Sequence, residues 1–195
     1  MSYVWRSAGF VSSPPTLIIL SGPIAAGKTT LAHRLAESLG CPAICRDEIK
    51  EGMVYATSGF VPCLGDELTK RTFPVFFEVL GVLLRAGVTT VADAAFQDAA
   101  WRRGLEPLLG LARLRVVHCC VPGDVALSRA LRRSESNPVR RAHADPGPDR
   151  DAEDFVRLRA AFERLSLDAP ALEVDTTDGY RPALDAIVAF VSKAH

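Results

Sequence analysis

Gly22-Pro23-Ile24-Ala25-Ala26-Gly27-Lys28-Thr29 fits the pattern G-x-x-x-x-G-K-[ST]. The apolar run Leu17-Ile18-Ile19-Leu20 precedes it and reads as a buried strand. Leu31, Leu35 and Leu39 follow it, four residues apart on one helical face. Strand, glycine-rich turn and helix in this order predict a phosphate-binding loop. The turn aims successive backbone N–H groups inward, and the helix N-terminus adds partial positive charge. Lys28 is placed to reach the β- and γ-phosphates of a nucleoside triphosphate, and the Thr29 hydroxyl to hold Mg²⁺. The expected nucleotide contacts are Gly22, Pro23, Ile24, Ala25, Ala26, Gly27, Lys28, Thr29 and Thr30, with ATP and Mg²⁺ as cofactors. The chain otherwise avoids lysine, carrying four against nineteen arginines. A lysine at the position that needs a slim point charge among phosphates stands out in that background.

The 195 residues suit one domain with a full hydrophobic core. The expected division is a flexible lead over 1–16, ending in Ser12-Ser13-Pro14-Pro15, and a single domain over 17–195. A formal net charge of zero supplies no global basic field to draw in nucleic acid or an anionic membrane. No apolar run approaches the roughly 20 residues that span a bilayer. Met1 to Thr16 holds one arginine and no continuous apolar stretch, unlike a secretory signal. Cys41, Cys45, Cys63, Cys119 and Cys120 show no C-x-x-C spacing, and no Cys/His spacing suggests zinc. Buried free thiols in a reducing cytoplasm are the expectation.

Short apolar runs alternate with helical patterns. The expected strands are 17–20, 42–46, 88–92, 115–120 and 172–174. The expected helices are 28–39, 47–56, 67–86, 98–112, 123–134, 151–166 and 181–193. This alternation predicts βαβ units and a parallel sheet covered on both faces, with ligands at the carboxyl ends of the strands. Ser134 to Arg150 breaks the pattern with Asn137-Pro138 and Pro146-Gly147-Pro148, and reads as a mobile loop. The helix before it carries Arg129, Arg132 and Arg133, and the loop adds Arg140 and Arg141. The segment 123–150 is expected to be a helical lid over a triphosphate; the loop itself reads equally as a solvated surface segment.

A phosphate-binding loop specifies a nucleotide, not a reaction. The N-K-x-D motif of GTP switches and the L-S-G-G-Q-like signature of transport ATPases are both absent. Leu20 to Thr30, Cys45-Arg46-Asp47-Glu48-Ile49-Lys50 and Val91-Ala92-Asp93-Ala94-Ala95-Phe96 together resemble a group of P-loop kinases. The group is sometimes labelled as AAA-type ATPase domains. It includes chloramphenicol phosphotransferase and the kinase domain of phage polynucleotide kinase, with zeta toxins more distant. The resemblance runs from about Leu17 to Val191. It implies that Asp47 is the general base for the acceptor hydroxyl. A hydroxyl attacking a γ-phosphoryl needs such a proton acceptor opposite the leaving ADP. As a residue at a strand-to-helix junction, Asp47 is also suited to cap the helix.

The polynucleotide kinase line places an arginine three residues after the base, to hold a substrate phosphate. Here Lys50 stands there, giving charge without a bidentate fork. The region of Asp93 supports the substrate or the metal's water shell in relatives. Asp93 and Phe96, with Lys50 and Asp47, are the expected substrate contacts. Phe96 and Trp101 can wall a pocket or fill the core. By resemblance, Arg129 flanks the nucleotide base and Arg132 or Arg133 neutralises the transferring phosphoryl. Thr176 follows the last strand, where related kinases contact adenine. His143 is a possible substrate contact or a solvated loop residue, and His33 reads as structural.

The expected fold is thus a three-layer α/β P-loop NTPase, a five-stranded parallel sheet in the order 2-3-1-4-5 with a helical lid. The expected activity is transfer of the γ-phosphoryl of ATP to a hydroxyl of a small molecule such as an antibiotic, nucleoside-like compound or other metabolite. Gly52 to Tyr55 and Gly59 to Pro62 are apolar and aromatic, which suits a partly hydrophobic acceptor. The alternatives are a nucleoside or polynucleotide 5′-kinase and a nucleotide-binding regulator without transfer chemistry. No membrane or nucleic-acid partner is expected.

Overall fold

Thr16–Ser21 forms β1, buried along its whole length, as a central strand in a parallel sheet covered on both faces must be. The computed structural model describes residues 13–63, 65–136, 143 and 152–193. Most of the lead and all of the expected lid beyond 136 except His143 lie outside these residues, Arg140 and Arg141 included. β1 pairs in parallel with β3 (Thr90–Asp93) on one side and β4 (Arg113–Cys120) on the other. β2 (Ala43–Cys45) and β5 (Ala171–Asp175) are the edges. The order is β2-β3-β1-β4-β5, all parallel, as expected. The register sets Cys45 beside Asp93 and Asp93 beside Leu20. The carboxyl ends of β1, β2 and β3 therefore open at one place, where open α/β sheets bind ligands.

The helices cover both faces, giving three layers. Leu31 and Leu35 of α1 (Lys28–Leu39) join one core with Ala126 and Ala130 of α5 (Gly123–Ser136), Phe155 of α6 (Ala152–Ala160) and Ile187 and Val191 of α7 (Leu184–Ser192). Phe76, Phe77, Leu80 and Leu84 of α3 (Glu67–Arg85) build the other with Trp101 and Leu105 of α4 (Asp98–Leu105). α2 (Arg46–Tyr55) leads from β2 towards α3.

Three expected helices differ by three residues or more at an end. The one expected over 98–112 stops at Leu105 and tightens into a 3₁₀ turn, Glu106–Leu108. Pro107 has no N–H for the bond that would continue an α-helix. The one expected over 151–166 stops at Ala160, because the chain turns so that Leu165 enters the second core and the Ser166 N–H reaches Asp98 Oδ1 (3.0 Å). The one expected from 181 begins at Leu184. Arg181 instead exchanges two backbone hydrogen bonds with Asp175, each 2.9 Å.

His118 of β4 is buried, and its Nδ1 has no partner among the described residues. Burial first, and the Arg164 charge second, push its pKa down to about 4 from an ordinary 6.5. The unfolded chain then binds a proton that the folded chain refuses between those values. Stability is full above about pH 6.5 and falls as pH drops towards 4. The lost stability amounts to about 3 kcal/mol at most, at 1.36 kcal/mol per pKa unit. His118→Gln should flatten this fall in urea titrations run from pH 7 to pH 4. An unchanged pH slope would assign the fall to other groups.

Candidate active site

The loop after β1 is shaped by backbone constraints. Gly22 has φ 149°, and a Cβ there would lie 2.4 Å from the Cys119 carbonyl oxygen. Only glycine permits that approach. Ala25 holds φ 60° and Gly27 φ 76°. α1 then starts with neither a side-chain cap nor an acidic residue in its first turn. An uncapped helix start, entered through a glycine-rich turn, is suited to an anion. Lys28 Nζ donates to the Pro23 carbonyl (3.0 Å) and so lies back over the loop.

Thr29 Oγ1 donates to Asp93 Oδ2 at 2.6 Å. Asp93 is almost wholly buried, and its Oδ1 has no partner among the described residues. Burial pushes the Asp93 carboxyl up, against the pull of Lys28 and Thr29. A buried carboxylate with one unsatisfied oxygen, beside the threonine of a phosphate loop, fits a hard divalent cation that keeps part of its water shell. Such a cation would restore the ionised form. The loop and this pair therefore fit a nucleotide with Mg²⁺.

Asp47 is the second residue of α2, not its cap. Cys45 occupies the cap position and makes no side-chain cap bond. Arg46 Nη1 donates to Asp47 Oδ1 at 3.0 Å. A cavity of about 340 Å³ collects Lys28, Thr29, Asp47, Asp93, Trp101 and Arg133. A second, of about 470 Å³, is lined by Gly27, Thr30, Arg34, Arg129, Arg132, Arg133, Thr176 and Tyr180. Arg133 borders both, whereas Arg132 is exposed and borders only the second.

Several expected contacts sit elsewhere than the sequence suggests. Lys50 touches the first cavity, but its side chain is buried and its Nζ lies 2.8 Å from Asp66 Oδ2. Burial alone would raise the Asp66 pKa; hydrogen bonds from Lys50 and Thr69 outweigh it and hold it at about 2. Asp66 also caps α3 through the Thr69 N–H (2.7 Å). Lys50 thus ties α2 to the start of α3 instead of offering a substrate an unneutralised charge. Removing one partner of a buried pair leaves a stranded charge. Lys50→Ala should lower the unfolding free energy by roughly 3–5 kcal/mol in urea denaturation. A loss below about 1 kcal/mol is the behaviour of an exposed pair, and would contradict this reading.

Phe96 is wholly buried, and its ring stands 5.1 Å from Trp101 and 5.8 Å from Phe76. It is core and does not wall the cavity, because the turn after β3 sends it inward at φ 45°. Ser21 Oγ steadies that turn by donating to the Ala95 carbonyl at 3.1 Å. The Thr176 hydroxyl has its proton within reach of the Ala26 (3.0 Å) and Cys120 (3.2 Å) carbonyls, so it grips the phosphate loop from behind. Arg129 donates to the Thr176 and Thr177 carbonyls at 2.5 and 3.0 Å. His143 borders the first cavity with Nε2 3.0 Å from Glu51 Oε1.

Arg159 of α6 is a residue the sequence reading missed. It donates to the Ile24 carbonyl (3.0 Å) and to the Val121 carbonyl. Nothing in the local sequence distinguishes it from the other arginines.

The family profile described as "AAA domain" matches residues 17–165. No curated protein sequence matches the chain. Among solved structures, a protein of Chloroflexus aurantiacus provisionally described as a kinase is similar at 26% identity. It superposes with a TM-score of 0.80, over 92% of this chain and 97% of that one. A sugar kinase from Janibacter is 19% identical (TM-score 0.62; 93% and 96% covered). The Mycobacterium tuberculosis APS kinase, solved with AMPPNP and APS, is 10% identical (TM-score 0.64; 93% and 100% covered). At such identities the last two speak for a shared P-loop kinase fold.

Proposed function

Since the chain belongs to the AAA domain family, we propose that it is a kinase that moves the γ-phosphoryl of ATP to the hydroxyl of a small, uncharged alcohol. The observation that carries this reading is the shared cavity. Phosphate loop, Thr29–Asp93 pair and Asp47 all border it. The solved neighbours described as kinases of sugars and of APS support the kinase part of this reading. A cytoplasmic location goes with the reading, and no described helix is long and apolar enough to cross a membrane.

Residues 22–30 cradle the phosphates with backbone N–H groups and the start of α1. Lys28 swings from the Pro23 carbonyl to the β- and γ-phosphates. Thr29 and Asp93 are the residues that would hold Mg²⁺, with Asp93 on the metal side and not the substrate side. When bound, Mg²⁺ supplies charge neutralisation for the phosphate oxygens. Asp47 takes the proton of the acceptor hydroxyl, and Arg46 orients its carboxylate. Arg133 lies where both cavities meet and neutralises the phosphoryl in flight. Arg129 and Thr176 shape the nucleotide side.

The acceptor class follows from the charges. Lys50 is neutralised by Asp66, Arg46 lies on Asp47, and His143 faces Glu51. Among the described residues, the acceptor side of the first cavity is also bordered by Trp101, Gln97, Thr69, Leu158 and Phe162, with Cys63, Gly65, Ala94 and Ala95. An aromatic and aliphatic wall with an amide and a hydroxyl suits a neutral alcohol better than a phosphorylated one. ADP release with Mg-ATP, measured against polyols, aromatic alcohols, nucleosides and oligonucleotide 5′-ends, tests this. Stimulation by uncharged alcohols, with a phosphorylated product seen by mass spectrometry, is the expected result. Stimulation confined to oligonucleotide ends would make the protein a 5′-kinase. Tight ATP binding with no acceptor-dependent ADP would make it a regulator.

A further inference from the structure

We propose that His33, Cys45 and Glu48 form a binding site for a thiophilic divalent cation of the zinc class, bridging the phosphate-loop helix to the turn that carries Asp47. The three come from α1, β2 and the first turn of α2. His33 Nε2 lies 2.6 Å from Glu48 Oε1 and 3.8 Å from Cys45 Sγ. All three donor atoms lie within 4.8 Å of one another. Around tetrahedral zinc, with Zn–N about 2.0 Å and Zn–S about 2.3 Å, the nitrogen and sulfur stand about 3.5 Å apart. The nitrogen–oxygen separation would be about 3.3 Å by the same geometry, so the imidazole and carboxylate need part by less than about 1 Å. Both side chains are about half exposed, which leaves them room to move and leaves water room to complete the shell.

The donor set decides the metal class. Thiolate, imidazole and carboxylate together select zinc or cobalt over magnesium or calcium. The surroundings agree. Among the described residues, the charges that act on Cys45 are the carboxylates of Asp93, Glu48 and Asp47. A negative pocket around a buried sulfur admits a cation readily and a lone thiolate poorly. The cation's thiolate bond displaces the Cys45 proton to solvent, and the short His33–Glu48 contact gives way to two bonds to the metal. The site is independent of the kinase reading, since neither His33 nor Cys45 serves the transfer.

Zinc is titrated into the reduced full-length chain against a chromophoric chelator, and cobalt binding is followed by its thiolate charge-transfer absorption. Cys63, the exposed thiol, is first replaced (Cys63→Ser) to remove adventitious binding. One equivalent should bind, with the thiolate band present. His33→Gln and Glu48→Gln should each weaken zinc at least about tenfold, as loss of a ligand must exceed the 10–100-fold cost of second-shell changes. Cys45→Ser should abolish the band. Affinities within about twofold of the parent in both exposed-site variants would overturn the proposal, because bound metal would then lie elsewhere. A cobalt complex without the band, or no binding at all, would overturn it too. If Cys45→Ser does not fold, the other two variants decide, since both alter exposed side chains.

Discussion

Asp47→Asn is expected to lower phosphoryl transfer by roughly 10²–10⁴, the range of a positioned general base, while ATP affinity stays nearly unchanged. The asparagine keeps the size of the side chain and can still meet Arg46, so the start of α2 should hold its shape. What it loses is the capacity to accept a proton. Thr29, Lys28 and Asp93, the residues assigned to nucleotide and metal, are left intact. Turnover and nucleotide affinity must be measured separately. If both collapsed together, Asp47 would be a metal or structural residue. If neither moved, the proton would leave by another route.

The second large effect is expected at Arg133. Its replacement by alanine should reduce turnover about 10³-fold or more, within the range of transition-state arginines. Arg132 is exposed and borders only the nucleotide-side cavity. Its alanine variant should cost far less, because Arg132 does not border the cavity that holds Asp47 and the Thr29–Asp93 pair. Arg129→Ala should act on ATP affinity, since Arg129 fixes the carbonyls of Thr176 and Thr177. Hydrogen exchange across α5 should slow when an ATP analogue and acceptor are both present. A near-silent Arg133→Ala with unaltered exchange would remove Arg133 from the neutralising charges and leave that role to Lys28 and Mg²⁺ or to another arginine.

Local features were readable in the chain. The phosphate loop, the strands around it and the placement of Asp47 and Asp93 at strand ends follow from patterns a few residues long. Those patterns carry their own physics, namely glycine at positive φ, an apolar strand before the loop and a helix start after it. What stayed hidden depends on distant partners. Lys50 reads as a substrate cation until Asp66, sixteen residues on, is seen beside it. Phe96 reads as wall or core until the turn after β3 is known. Thr176 reads as a base contact, and Arg159 as one arginine of many, because their acceptors in the phosphate loop are not written nearby. The α4 boundary was open to a local rule, since Pro107 forbids the longer helix.

The grip of Thr176 on Ala26 and of Arg159 on Ile24 spans 150 and 135 residues of chain. The loop therefore cannot acquire its final shape while only the first half of the protein has folded. Contacts this distant close late, because loop-closure entropy is met before they form. During synthesis, nucleotide affinity should appear only once residue 176 has emerged and β5 has paired with β4. Fragments ending before it should keep β1 and α1 without a competent loop. The same coupling runs in reverse. A bound nucleotide restrains the latest segments along with the earliest, so its binding energy adds to the stability of the whole chain against unfolding. Saturating ATP should accordingly protect β5 and α6 from proteolysis as strongly as it protects the loop itself.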